Sequence, residues 1–299
     1  MSIYNINGVN ISSAFNKNGE DIDYAYDLNG NIVYTKGTPS YDYDDYSISD
    51  LFTLSASGLS GSSFQAFDVY NGILVQVRHS SYLCLIDLLT HNAINSGMSC
   101  QVGHGNSFSF SRVFYTDGDE FPISYATDGY KYVYVNRVTR TGCTLLKTYK
   151  TDPTSYGGYL MSACPTADGK TLYTMGYTFA DYQSDRNGTN LIRIAKWNLE
   201  SETDNGDGTY LPQFIVENTM PFFPCIQGTQ LHDGLLFASS GISGTPQNVF
   251  IIDPETATIK HTVSIGGVEI EGCAWVDDYL IVGQNPSNIA YKKVTFAEL

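Results

Sequence analysis

Charge is scarce in this sequence, and most of it has one sign. Charged residues make up 16% of the 299 positions, against about a quarter in ordinary domains. Acidic side chains outnumber basic ones 31 to 16, for a formal net charge of −15. A surface that negative repels phosphate backbones and argues against nucleic acid as a partner. No apolar run approaches the roughly 18 residues that a membrane span needs, so no membrane insertion is expected. Met1-Ser2-Ile3-Tyr4-Asn5 lacks the basic and apolar regions of a secretory signal. No Cys-x-x-Cys pair, Gly-x-Ser-x-Gly elbow, His-Glu-x-x-His or phosphate loop occurs. The five histidines, His79, His91, His104, His232 and His261, are spread singly. No metal site and no cofactor is therefore expected. The six cysteines, Cys84, Cys100, Cys143, Cys164, Cys225 and Cys273, are read as buried free thiols made in a reducing cytoplasm.

Aromatics and glycine are plentiful. Twenty-three Tyr, 15 Phe and 28 Gly beside only two Trp describe a β-rich, turn-rich chain. Hydrophobic residues at 42% make it globular. Residues 4–36 divide into three consecutive units of eleven, beginning at Tyr4, Phe15 and Tyr26. Each carries an aromatic, an Asn or Asp after it, an Asn-Gly pair, and an Ile at Ile11, Ile22 or Ile32. Asn-Gly accepts the positive φ of a type I′ turn, so each unit reads as strand, tight turn, strand. A lone hairpin is marginal in water, and the three must stack or pair with something larger. These repeats resemble the leader modules of tail proteins in phages of gut Firmicutes and, more loosely, the YD repeats of bacterial surface toxins. Residues 37–48, with Thr38-Pro39-Ser40 and the acidic Tyr41–Tyr46 stretch, read as a linker. Asp42, Asp44 and Asp45 lack the loop that calcium requires.

From residue 49 to 299 the chain becomes short apolar runs broken by turns. Gly72, Gly118, Gly169, Gly234 and Asp278 mark equivalent turns separated by 46, 51, 65 and 44 residues. That is blade spacing for a propeller of four-stranded sheets. A second series of Asp or Asn turns falls later in each unit, at Asp87, Asn136, Asn198 and Asp253. Val249–Thr256 and Thr166–Tyr173 resemble the repeats of YVTN-type and TolB-like β-propellers. The fold expected is all-β: a five-bladed β-propeller, with six blades as the alternative, behind a short N-terminal hairpin arm. The last unit shows three strands, 271–276, 279–283 and 289–296, and Ser49–Ser55 is the natural donor of the fourth.

The innermost strand of each blade faces the axis. Gln65, His104 with Asn106, Gln227 and Glu271 stand at the starts of their units, which predicts a ring around the central channel. These five are the candidate ligand-binding residues. Glu269 and Glu271 share one face of one strand, but no second blade offers a clear partner carboxylate; Asp68 and Glu120 sit near strand ends. The loop Asp204–Gly208 reads as a hairpin turn rather than a calcium loop.

The functional expectation is a non-catalytic phage virion protein, tail- or fibre-associated. Its arm would bind other virion proteins or drive homo-oligomerisation, and its propeller would be displayed for host recognition. Aromatic faces would then meet a host-surface glycan or protein. Two alternatives stand: a glycan-active enzyme resembling glycoside hydrolase propellers, and a bacterial interaction scaffold.

Overall fold

In the computed structural model, residues 24–26, 32–35, 40–55, 57–79, 81–151, 160–179, 183, 188–285 and 289–299 are described. Two units result: Met1–Asp42 with Ala297–Leu299, and Tyr43–Phe296. In the first, β1 (Tyr24–Tyr26) pairs antiparallel with β2 (Ile32–Thr35), Tyr24 facing Thr35 and Tyr26 facing Ile32. Asn29-Gly30 of the third eleven-residue repeat lies outside the described residues. The first repeat and most of the second lie outside the described residues.

Among the described residues, the regular elements of the second unit are all strands. A long strand, β3 (Tyr41–Leu54), is followed by β4 (Phe64–Tyr70), β5 (Ile73–Arg78), β6 (Tyr82–Asp87), β7 (Asn92–Ala93) and β8 (Met98–Ser99). Next come β9 (Phe108–Phe110), β10 (Ser124–Thr127), β11 (Tyr132–Val138) and β12 (Cys143–Lys150). They lead to β13 (Leu160–Pro165), β14 (Thr171–Tyr177), β15 (Leu191–Asp204) and β16 (Tyr210–Pro221). The rest are β17 (Ile226–His232), β18 (Leu235–Ser240), β19 (Asn248–Asp253), β20 (Thr258–Ser264), β21 (Ile270–Val276), β22 (Tyr279–Gln284) and β23 (Ile289–Glu298).

Antiparallel neighbours form the sheets β4-β5-β6-β7, with β8 on β6, and β17-β18-β19-β20. A third sheet has the order β21-β22-β23-β3. The fourth runs β13-β14-β15-β16-β12-β11-β10-β9, joined in its middle by one parallel bridge, Tyr149 to Tyr210. The first strands meet in a closed circuit: β4 touches β9 and β21, β21 touches β17, β17 touches β13, and β13 touches β9. No helix occurs among the described residues.

Tight turns and apolar runs dictate this order. Asn71 and Gly72 both take positive φ, 48° and 72°, as a two-residue hairpin turn between β4 and β5 requires. Asp233 and Gly234 do the same between β17 and β18, at 50° and 77°. Strands sandwiched between sheets are buried on both faces, so β5 is buried along its whole length. Between sheets, Phe64, Phe67, Leu74 and Ile86 pack with Phe52, Ala274, Ile281 and Tyr291 in one core cluster.

Two expectations are corrected. Residues 41–48 are not a linker; they open β3, which starts at Tyr41 rather than at Ser49. Over Tyr41–Asp44, alternating Tyr and Asp puts the two aromatics on one face and the two acids on the other, the period-2 pattern of a strand. Tyr43 packs on Phe237 and Phe296 at ring-centroid distances of 5.7 and 5.1 Å. Asp44 meets His261 at 2.8 Å. The cysteines also differ: Cys100 and Cys143 form a disulfide, while Cys84, Cys164, Cys225 and Cys273 are free and buried. The bonded pair is 43 residues apart in sequence, and folding alone brings the two together. The Asp204–Gly208 loop is a hairpin turn in which Asp204 accepts from the Gly206 N–H at 2.8 Å.

Candidate functional site

The site begins with a defect repeated in the innermost strands. Opposite β5 the register of β4 skips between Phe64 and Ala66, leaving Gln65 unpaired. The same skip leaves out Met161 in β13, Gln227 in β17 and Glu271 in β21. Ahead of β9, the Thr127 carbonyl accepts from Gly105 N–H while the Thr127 N–H donates to the Ser107 carbonyl, which bypasses Asn106 in the same way. A bulge re-aims the side chain of its extra residue. Gln65, Asn106, Met161, Gln227 and Glu271 all line one cavity of about 260 Å³. His104, Asp128, Tyr130, Ile242 and Glu269 line it too. All five candidate residues read from the sequence therefore meet in one place.

The inner strands come close because glycine follows the bulge twice. A Cβ on Gly228 would lie 3.1 Å from the Gly272 Cα, so this close approach tolerates little beyond hydrogen there.

Two carboxylates dominate the electrostatics. Burial raises the Glu271 carboxyl well above the usual range, Glu269 beside it adds to the rise, and a hydrogen bond from Asn285 opposes it. Asn285 Nδ2 donates to Glu271 Oε1 at 2.9 Å. Burial also raises Glu269, while the Gln227 amide, donating to Oε1 at 3.1 Å, pulls it down. Glu271 is only 4% exposed; Glu269 stands half-open just before β21. The backbone between them is braced: Gln247 Oε1 accepts from Ile270 N–H at 2.9 Å, and Asn285 N–H donates to the Glu269 carbonyl at 2.9 Å. His104 is held below its usual pKa by burial and by His79, whose ring centroid is 5.2 Å away. The imidazole is thus neutral near neutral pH.

Sequence reasoning missed part of this wall. Asp128 and Tyr130 come from the Asp-Gly-Tyr turn after β10, at the other end of a hairpin from the turns that marked the repeat. Asp128 Oδ1 accepts from the N–H groups of Tyr130, Lys131 and Tyr132 at 2.8, 2.8 and 3.0 Å. Met161 is apolar and carries no signal in the sequence that sets it apart from a core residue. The other carboxylates considered lie elsewhere. Asp68 is buried and accepts from Val69 N–H and Phe110 N–H, both at 2.7 Å, and from Gln230 Nε2 at 2.8 Å. Glu120 pairs with Arg140 at 2.5 Å. Both tryptophans, Trp197 and Trp275, are buried, so neither offers an open face for stacking on a sugar.

No protein-family model matches the chain, and no curated protein matches its sequence. Among solved structures it is similar to the glutaminyl cyclase of Myxococcus xanthus, with a TM-score of 0.52 and 12% identity. The likeness covers 84% of this chain and 97% of that one. At that identity the likeness carries the fold, which is a β-propeller. It also corrects the expectation of a non-catalytic phage virion protein displayed for host recognition. The fold is shared over nearly the whole length with an enzyme, and the likeness carries nothing of a phage assembly.

Proposed function

We propose that the protein is an enzyme working by general acid–base catalysis at the axial cavity, with Glu271 as acid and Glu269 as base. One observation carries the reading: two carboxylates share a cavity in unlike environments. Pairs whose surroundings push their pKa values apart divide acid and base roles between them. Glu271, deeply buried beside a second carboxylate, keeps its proton and can pass it to a leaving group. Glu269, more open and holding the Gln227 amide, accepts a proton from the attacking group. Gln65, Asn106 and Gln227 orient what binds above them.

The same reading takes the eight-stranded sheet as two blades touching at one parallel bridge, which makes five blades in all. Each then contributes one bulged residue to the cavity wall.

The likeness to a glutaminyl cyclase makes a peptide with N-terminal glutamine the first substrate to try, with ammonia release as the readout. Aryl glycosides form the second arm of the panel. Turnover of one arm, lost in Glu271→Gln, is the expected result. No turnover on either arm, or turnover unchanged in Glu271→Gln, overturns the reading.

A further inference from the structure

We infer that the Cys100–Cys143 bridge is a thiol–disulfide exchange site through which a dithiol reductant controls the axial cavity. Its effect on turnover rests on the functional reading of that cavity; the exchange site itself stands on geometry.

The bridge holds the segment that supplies two residues of the cavity wall. Residues 100–107 cross from the sheet of β4–β8 to β9 of the eight-stranded sheet and form no regular element. His104 and Asn106, four and six residues beyond Cys100, line the cavity. Cys143 opens β12, three strands out from β9 in that same sheet. The disulfide therefore fastens the start of the segment to the sheet that its end enters.

The remaining ties are hydrogen bonds and one buried side chain. Asn136 Nδ2 donates to the Gln101 carbonyl at 3.0 Å, and Ser81 Oγ donates to the Gly103 carbonyl at 3.4 Å. Val102 is fully buried. Gly103 and Gly105 take positive φ, 61° and 81°. Glycine gives up the most backbone freedom on folding, so a stretch with two of them regains the most when a tie is cut.

One sulfur of the bridge is within reach of solvent. Cys100 is only 4% exposed, whereas Cys143 is half-buried and follows the exposed Arg140 and Thr141. The other four cysteines do not compete. All are buried, and burial raises Cys84 to about 11 and Cys164 and Cys225 to about 12, with Cys273 higher still. Exchange proceeds through a thiolate, which these four rarely form.

In the exchange, one thiolate of the dithiol attacks Cys143 Sγ, the S–S bond breaks, and Cys100 leaves as a thiolate that takes up a proton. The second thiol then closes on the mixed disulfide and frees Cys143. Two electrons and two protons pass to the bridge, and the dithiol ends as a disulfide. Cys100 already packs in an apolar cluster with Val102, Phe108 and Val138, and Cys143 packs against it. A free thiol behaves there as a small apolar side chain, so the sheets stay folded while the segment loosens.

The test uses the full chain under native conditions, with dithiothreitol as the dithiol. Mass mapping after alkylation is expected to find two new thiols, Cys100 and Cys143. Amide hydrogen exchange over 101–107 should speed up by about tenfold, stay unchanged in β17, and slow again once the bridge reforms in air. Cys143→Ser should exchange like the reduced parent, with or without dithiothreitol. A bridge that resists reduction without denaturant, exchange over 101–107 that does not change, or exchange that rises equally in β17 overturns the inference. Turnover is scored separately, with kcat/KM expected to fall at least about tenfold on reduction as the wall at His104 and Asn106 is displaced. An active enzyme with equal kcat/KM in both states sinks this inference alone. A protein inactive in both states sinks the acid–base reading alone, and amide exchange then decides the bridge.

Discussion

Gln227 Nε2 lies 3.1 Å from Glu269 Oε1, and so ties the bulge of one inner strand to the carboxylate that precedes the next. The bond lowers the pKa of Glu269 against the effect of burial, while Glu271, two residues on, has no such relief beyond Asn285. The two glutamates thus differ in their partners: Gln227 reaches Glu269 from another sheet, whereas Asn285 reaches Glu271 from the same one.

Glu271→Gln should reduce kcat/KM by about 10²–10⁴-fold, the usual value of a positioned proton donor, with the circular dichroism spectrum unchanged. Because the acid must carry its proton, kcat/KM of the parent should fall as pH rises through the raised pKa of Glu271. A pH–rate profile flat through the alkaline limb would assign the acid elsewhere.

Asp68 titrates in an accessible range, since burial pushes its carboxyl up to about 6 against the hydrogen bonds of Phe110 and Val69. The folded state therefore binds this proton more tightly than the unfolded chain does. Stability should rise as pH falls from about 6 toward 4, and be lost on the way back. The gap between about 6 and the ordinary carboxyl value corresponds to about 3 kcal/mol at most. Urea denaturation at pH 4 and pH 7 measures most of it, and Asp68→Asn should remove this part of the slope. Glu217, Glu269 and Glu271, also raised by burial, act in the same direction, while His104 and His232, held down by burial, act against it.

Thiol titration in denaturant should count four free cysteines before reduction and six after, from the Cys100–Cys143 bridge and the four buried thiols. In the native protein the four should react slowly, since burial raises Cys84 to about 11 and Cys164 and Cys225 to about 12. Six reactive thiols without reductant would remove the bridge.

Gly283→Ala should destabilise the fold by about 1–3 kcal/mol through overpacking. Its added Cβ would fall 2.6 Å from the Phe64 ring and 2.8 Å from the Phe67 ring, both buried between two sheets. Chemical denaturation at constant m-value provides the measurement.

Phe52→Ala tests how much β3 holds its sheet together. Phe52 stacks on Tyr291 at 4.6 Å and on His91 at 4.4 Å. A loss of about 3–5 kcal/mol is expected if the strand is integral, as for a buried Phe in any core. A loss below about 1 kcal/mol would make β3 a loose cover.

The repeat of strand and turn was legible in the chain because its signals are local. Asn71-Gly72 and Asp233-Gly234 determine their own hairpins through the φ values they accept. The residues that begin each inner strand, Gln65, Asn106, Gln227 and Glu271, could be singled out by register alone. At residues 41–48 the acidic composition reads as a linker, although the Tyr and Asp alternation of 41–44 is that of a true strand. Function was misread for a related reason: the arm and the acidic surface are conspicuous in sequence, whereas the burial that separates Glu271 from Glu269 is not.

Local chemistry thus determined the all-β class, the turns and the residues facing the axis. Only the tertiary structure decided what those residues do together. Bulges re-aim side chains from positions 65 to 271 into one cavity, and burial there raises Glu271 while Gln227 restrains Glu269. The Cys100–Cys143 bridge and the Asp68–Gln230 bond belong to the same category. Burial and proximity across 40 to 200 residues are properties of the closed circuit of sheets, and no window of the chain contains them.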